Sequence, residues 1–136
     1  MSEPITHVSG TSDGAHWATA LTFGRHQMIA DEPHALGGEN AGPPPFAYLL
    51  SGLTACTCIT LRMYAERKGW PLSGIHVDAD YHHAPEGAFI TRVLHFAGAL
   101  NDEQVAKLAD IAERTPVTLA LKSASDIRTS VGAPQA

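Results

Sequence analysis

Two cysteines, Cys56 and Cys58, are the side chains best suited to nucleophilic or redox chemistry in this chain of 136 residues. The thiolate is the reactive form of cysteine, so a reactive thiol needs a neighbour that favours its charge. On a helix, residues two apart point about 200° from each other. A disulfide between Cys56 and Cys58 would therefore require the helix to break, and Cys-Thr-Cys alone offers too few ligands for zinc. Taken by itself, Cys56 reads as a small core residue or as a nucleophile. Cys58 has Arg62 one turn later, which makes it a packed thiol beside a solvated arginine or, less simply, an arginine-activated one.

A second group of polar side chains lies further along. His76, Asp78, Asp80 and His82 alternate with apolar residues, and His83 follows. Such spacing on a strand can bind a divalent metal, but it equally describes a solvated strand face, which is the favoured reading. No metal and no cofactor are expected. A third segment, Gly37-Gly38-Glu39-Asn40-Ala41-Gly42, is rich in glycine and precedes a helix. It lacks the Lys-Ser/Thr of a phosphate loop and the spacing of a dinucleotide fingerprint, so it reads as a flexible turn.

The elements that must carry these residues follow from patterning. Residues 5–32 read as strands, with Ala15 to Phe23 and His26 to Ala30 joined by a turn at Gly24-Arg25. A loop dominated by Gly, Pro and Asn leads to Pro45, which suits the first turn of a helix. The helix runs to about Lys68, where Gly69 and Pro71 stop it. From Phe46 to Leu61 it carries no charge and is apolar or small on all sides, the pattern of a helix buried all round. A domain this small seldom encloses such a helix alone. Residues 74–82 alternate cleanly: Ile75, Val77, Ala79 and Tyr81 face inward and the His/Asp set faces outward. Phe89 to Ala97 returns as a second strand of a hairpin. Asn101 and Gln104 form a capping box for the next helix. Thr115 and Pro116 start a short helix through about Leu121, with the Thr115 hydroxyl as its cap. Ser125 to Val131 reads as a last strand. The order gives an α+β fold in a single domain, 1–136.

Composition narrows the function. Net charge is −5, and the nine Lys and Arg form no basic run, so nucleic-acid binding is not expected. The N-terminus lacks the features of a secretory signal, and the uncharged stretch Phe46–Leu61 is short for a membrane span. A cytoplasmic protein with no membrane partner is expected.

Four segments in this order resemble the osmotically inducible protein C / organic hydroperoxide resistance (OsmC/Ohr) family. They are Gly37 to Pro45, Leu49 to Thr57, Thr60 to Leu72, and Ile111 to Val117. The resemblance implies an intertwined homodimer, with long central helices wrapped by antiparallel sheets. It also implies reduction of small apolar organic hydroperoxides by a peroxidatic cysteine, at the position of Cys56. In the family a resolving cysteine, a glutamate and an arginine assist. Here Thr115 stands at the resolving position and Phe46 at that of the glutamate. No arginine stands in the loop before the helix. Arg25 is the only upstream arginine and the candidate activating cation, with His26 and His34 as alternatives. The start of the helix cannot supply the charge, because Cys56 lies about 15 Å from Phe46 along its axis. The chemistry implied is thiol-dependent peroxide reduction with an external thiol reductant. The alternative is a non-enzymatic dimer that binds a small molecule. A weaker one is a metal-binding protein using the His/Asp strand face.

Overall fold

In a computed structural model, which describes residues 3–134, strand pairing begins at the turn over Gly24 and Arg25. Strand β2 (Thr19–Phe23) runs into it and β3 (His26–Ala30) leaves it, paired from Thr19 opposite Ala30 to Phe23 opposite His26. A short strand β1 (Ser9–Thr11) adds to the other edge of β2, giving an antiparallel order β1-β2-β3. The first long strand starts at Thr19 rather than Ala15, because residues 14–17 form bends between β1 and β2.

The segment after β3 is tied down rather than loose. The Asp31 carboxylate, 4% exposed, accepts hydrogen bonds from the backbone N–H groups of Glu32 (2.8 Å), Ala41 (3.1 Å) and Glu39 (3.2 Å). These N–H donors, that of Ala41 foremost, hold the Asp31 carboxyl below its usual range. His16 donates to the Gly37 carbonyl at 2.7 Å. Two glycines are required by close approach: a Cβ on Gly38 would collide with the Glu32 carbonyl, and one on Gly42 with that of Ile29. One turn of 3₁₀ helix, His34–Leu36, lies inside the loop.

Helix α1 (Pro45–Lys68) has the bounds that Pro45 and Gly69 predict. Near its start the Tyr48 hydroxyl donates to the Ile29 carbonyl at 2.7 Å. The chain gathers into two compact units, Met1–Ser51 and Gly52–Ala136, and the boundary falls within α1. The single chain does not enclose α1. Within the chain α1 buries a single stripe, Leu53, Thr57, Leu61 and Ala65, at four-residue spacing. Phe46, Leu49, Ile59 and Met63 remain exposed, Ile59 by 59%. Helix α1 is long and apolar enough to cross a membrane by length and composition alone, a criterion that the core helix of a soluble protein also meets.

In the second unit, β4 (Gly74–His82) and β5 (Phe89–Ala97) form the antiparallel hairpin that the alternation predicts, from Gly74 opposite Ala97 to His82 opposite Phe89. Helix α2 (Asp102–Ala112) has the complete Asn101/Gln104 capping box. Helix α3 (Pro116–Lys122) follows. The core joins Leu61 and Ala65 of α1 to Leu108 and Ala112 of α2, with Trp70, Leu72, Ile75, Leu94 and Phe96 packed around them. Full burial of a leucine such as Leu61 or Leu108 stabilises by roughly 1.5–3 kcal/mol. Ser125–Val131 is not a strand. It pairs with no strand among the described residues, and Ile127 and Val131 are exposed. An alternating pattern cannot form a strand without a neighbour to take its backbone hydrogen bonds.

Candidate functional site

Cys56 lies on α1 directly before Thr57, a member of the buried stripe, so its sulfur is half-buried. The backbone N–H of Val117, in the first turn of α3, donates to Cys56 Sγ at 3.5 Å. Thr60, one turn along α1, places its Oγ1 3.8 Å from the same sulfur. The amide that reaches Cys56 thus comes from α3, not from the start of α1.

Beside this contact is a polar cluster centred on Arg92. The guanidinium donates from Nη1 to Thr57 Oγ1 (3.0 Å) and Thr118 Oγ1 (3.0 Å), and from Nη2 to the Ala112 carbonyl (2.9 Å). Nη2 also lies 3.5 Å from Glu113 Oε2. Glu113 is held in turn by Lys122, whose Nζ lies 2.8 Å from Oε1. That bond from Lys122, reinforced by the charges of Lys122 and Arg92, holds the Glu113 carboxyl below its usual range. The Thr57 hydroxyl passes its own hydrogen to the Leu53 carbonyl at 2.7 Å. Thr115 and Thr118 share a hydrogen bond of 2.7 Å between their hydroxyls. Thr57 and Thr115 are fully buried, Thr118 nearly so, and the Arg92 side chain is 12% exposed. No buried side-chain nitrogen or oxygen among the described residues lacks a partner.

Several expectations meet this geometry differently. Thr115 occupies the N-cap position of α3, but its hydroxyl makes no cap bond. It is turned toward Thr118 within the buried cluster, where a hydroxyl needs a partner more than an exposed helix end does. Arg25 sits exposed in the β2–β3 turn, in the first unit. Arg62 does not serve Cys58: its guanidinium donates to the Ser73 carbonyl at 2.9 Å. Both cysteines are free thiols. On the outer face of β4, His76 lies 3.3 Å from Asp78, with His95 at 3.6 Å on its other oxygen. His82 lies 3.1 Å from Thr91 Oγ1. Among the described residues no three His, Cys, Asp or Glu side chains are gathered to hold a metal ion.

The residue that sequence reasoning missed is Arg92. A signal existed. Ile90, Arg92, Leu94 and Phe96 share the inward face of β5, so Arg92 is a charge at a core-facing position. Such a residue is informative because charges are seldom buried without partners. Thr57 gives the same signal at the helical period, between Leu53 and Leu61.

The family model described as OsmC-like protein matches residues 37–130, most of the chain, from the pinned loop through α3. The chain belongs to the OsmC-like family. Solved structures agree on the fold. An OsmC-like protein from Mycoplasma pneumoniae superposes with a TM-score of 0.76 at 17% identity, covering 90% of this chain and 91% of that one. An organic hydroperoxide resistance protein OsmC from Legionella pneumophila gives 0.64 at 22% identity, with coverage of 90% and 93%. The organic hydroperoxide resistance protein OhrB of Bacillus subtilis gives 0.60 at 19% identity, with 88% and 91%. No curated protein matches the chain in sequence. At these identities the OsmC-like fold, with its long helix and antiparallel sheets, is what the structures share.

Proposed function

We propose that this OsmC-like protein is a thiol-dependent peroxidase that reduces small apolar organic hydroperoxides through Cys56. The observation that carries the reading is the Val117 N–H aimed at Cys56 Sγ, because a donor fixed on the sulfur holds it in one orientation for attack. Membership of the family, and relatives named for organic hydroperoxide resistance, support the substrate class. In the reaction the sulfur attacks the distal peroxide oxygen and the O–O bond breaks. The alkoxide leaves and takes a proton as the alcohol, and Cys56 becomes a sulfenic acid. Thr115 cannot resolve that acid, so an external thiol condenses with it, releasing water and forming a mixed disulfide. A second thiol frees Cys56. The protein acts as a cytoplasmic homodimer in this reading. The apolar face of α1 left open by the single chain supports the dimer, since a second copy would cover it.

The test is consumption of an alkyl hydroperoxide with a panel of mono- and dithiol donors. Cys56→Ser should abolish it and Cys58→Ser should leave most of it. If the wild type is no faster than each donor alone, the peroxidase reading fails and a non-enzymatic small-molecule-binding dimer takes its place.

A further inference from the structure

We propose that Arg92 is the positioning residue of the site, acting on Cys56 through Thr57 and Thr118 rather than through contact with substrate; the inference rests on Cys56 being the reactive thiol. The sulfur is set by two pieces of chain. One is α1 at Cys56, whose next residue is Thr57. The other is the start of α3 at Val117, whose next residue is Thr118. A single guanidinium nitrogen, Nη1, donates to the hydroxyls of both threonines at 3.0 Å. The second nitrogen holds the Ala112 carbonyl at 2.9 Å, where α2 ends. The planar fork of arginine therefore fixes three segments, 35, 26 and 20 residues from Arg92 in sequence. Their spacing sets the 3.5 Å contact between Val117 N–H and Cys56 Sγ.

Two further observations separate positioning from substrate binding. Both Nη atoms are already engaged by protein acceptors, and the side chain is 12% exposed, so these nitrogens are not free for a peroxide. The acceptors are hydroxyl and carbonyl oxygens, with the one carboxylate, Glu113, the most distant partner at 3.5 Å. The interaction is thus a geometric clamp more than an ion pair, and lysine, a point charge with no planar fork, would not reproduce it.

The experiment uses the full chain with Cys58→Ser, so that one thiol reports, and measures alkylation of Cys56 by iodoacetamide. Arg92→Met should slow alkylation about tenfold, and Thr118→Val, which removes one clamp point, about threefold, as expected when a reacting group loses its oriented partner. In peroxide turnover, Arg92→Met should lower kcat and leave KM unchanged. A merely structural arginine gives the opposite alkylation result, because loosening α3 uncovers the sulfur and speeds its modification. Unchanged or faster alkylation in Thr118→Val, with a native circular dichroism spectrum, overturns the inference even if Arg92→Met does not fold. Slower alkylation in a protein that consumes no hydroperoxide would sink the peroxidase reading and leave the clamp standing.

Discussion

Two charges, one buried and one largely so, organise this molecule, and they do so in opposite ways. In the first unit the Asp31 carboxylate gathers three backbone N–H groups, one, eight and ten residues further along. In the second unit the Arg92 guanidinium gathers two hydroxyls and a carbonyl from segments 20 to 35 residues away. The anion shapes a loop from its own neighbourhood. The cation joins pieces that sequence keeps far apart, and one of those pieces carries the thiol. A local staple can be replaced by other turn chemistry; a long-range one has no local substitute, and the site depends on it.

The largest effect should come from breaking the long-range staple. Arg92→Met removes one charged donor from each of the Thr57 and Thr118 hydroxyls and the Ala112 carbonyl, while Thr118 keeps Thr115, Ala112 keeps the Thr118 hydroxyl at 3.2 Å and Thr57 keeps the Leu53 carbonyl. The cost should be roughly 3 kcal/mol, since hydrogen bonds to a charged group contribute about 1.5–3 kcal/mol each and the surviving partners offset part of the sum. Urea denaturation would show it as a lower midpoint with unchanged slope. A loss below about 0.5 kcal/mol, the range of ordinary surface substitutions, would mean that water replaces the guanidinium and that the two staples are not different in kind.

Acid separates the two staples next. The Asp31 carboxyl is held low by its N–H donors, that of Ala41 foremost. A carboxylate lowered on folding contributes stability that is fully present above its unfolded pKa, about 3.9, and is lost as pH falls through the folded value. As pH falls through that lowered folded value, the Glu39 and Ala41 amides should therefore shift and lose their protection. The bonds from Arg92 to Thr57, Thr118 and Ala112 involve no carboxyl group. Glu113 titrates in the same window, its carboxyl lowered chiefly by Lys122, but it is the outermost and longest partner of Arg92. The Val117 amide should change little at the pH where Ala41 has moved. Amide spectra from pH 6 to pH 2 would decide it, and simultaneous movement of both amides would defeat the contrast. Asp31→Asn should remove the loop's share of the acid response.

A smaller effect is expected at Thr115. Its hydroxyl bonds Thr118, not a helix-end N–H, so Thr115→Ala should cost about 1 kcal/mol through a lost buried hydrogen bond. Thr115→Ser, which keeps the hydroxyl, should recover most of it. Equal losses in the two variants would assign the effect to the missing methyl group and remove Thr115 from the cluster.

The same contrast explains what was legible in the sequence. Every element of the second unit from Gly74 to Lys122 was readable, because each is set by short-range devices. Pro45 and Gly69 bound α1, period-two alternation marks β4 and β5, and Asn101 with Gln104 starts α2. The pinned loop was readable as a loop, but Asp31 was not readable as its organiser, since a carboxylate beside glycines looks like any turn residue. Arg92 was hidden by the distance to its partners, although its place between Ile90 and Leu94 marked it as an inward charge. The predicted strand Ser125–Val131 failed for a related reason: alternation describes a face but does not supply a neighbour. Cys56 was found through its match to the family, and its contact with Val117, 61 residues away, could not have been read from spacing.

The smallest effect belongs to the most legible device, and it serves as the control for the others. Asn101 accepts from the Gln104 amide at 2.8 Å, and the Gln104 side chain accepts from the Asn101 amide at 3.0 Å. Both bonds are exposed and span three residues, so water can replace each when a partner is removed. Asn101→Ala should cost about 1 kcal/mol or less, the usual loss at an N-cap. Gln104→Ala should cost less still, because the Asn101 amide it satisfies can turn to solvent. Neither variant should alter alkylation of Cys56, since α2 meets the cluster at its other end, where the Ala112 carbonyl is held by Arg92. If Asn101→Ala slows alkylation as much as Thr118→Val does, then any loss of stability in this unit disturbs the thiol. The special status given to the guanidinium clamp would then be wrong. If stability falls and alkylation holds, the thiol's geometry is set by the long-range staple and is insensitive to the local one.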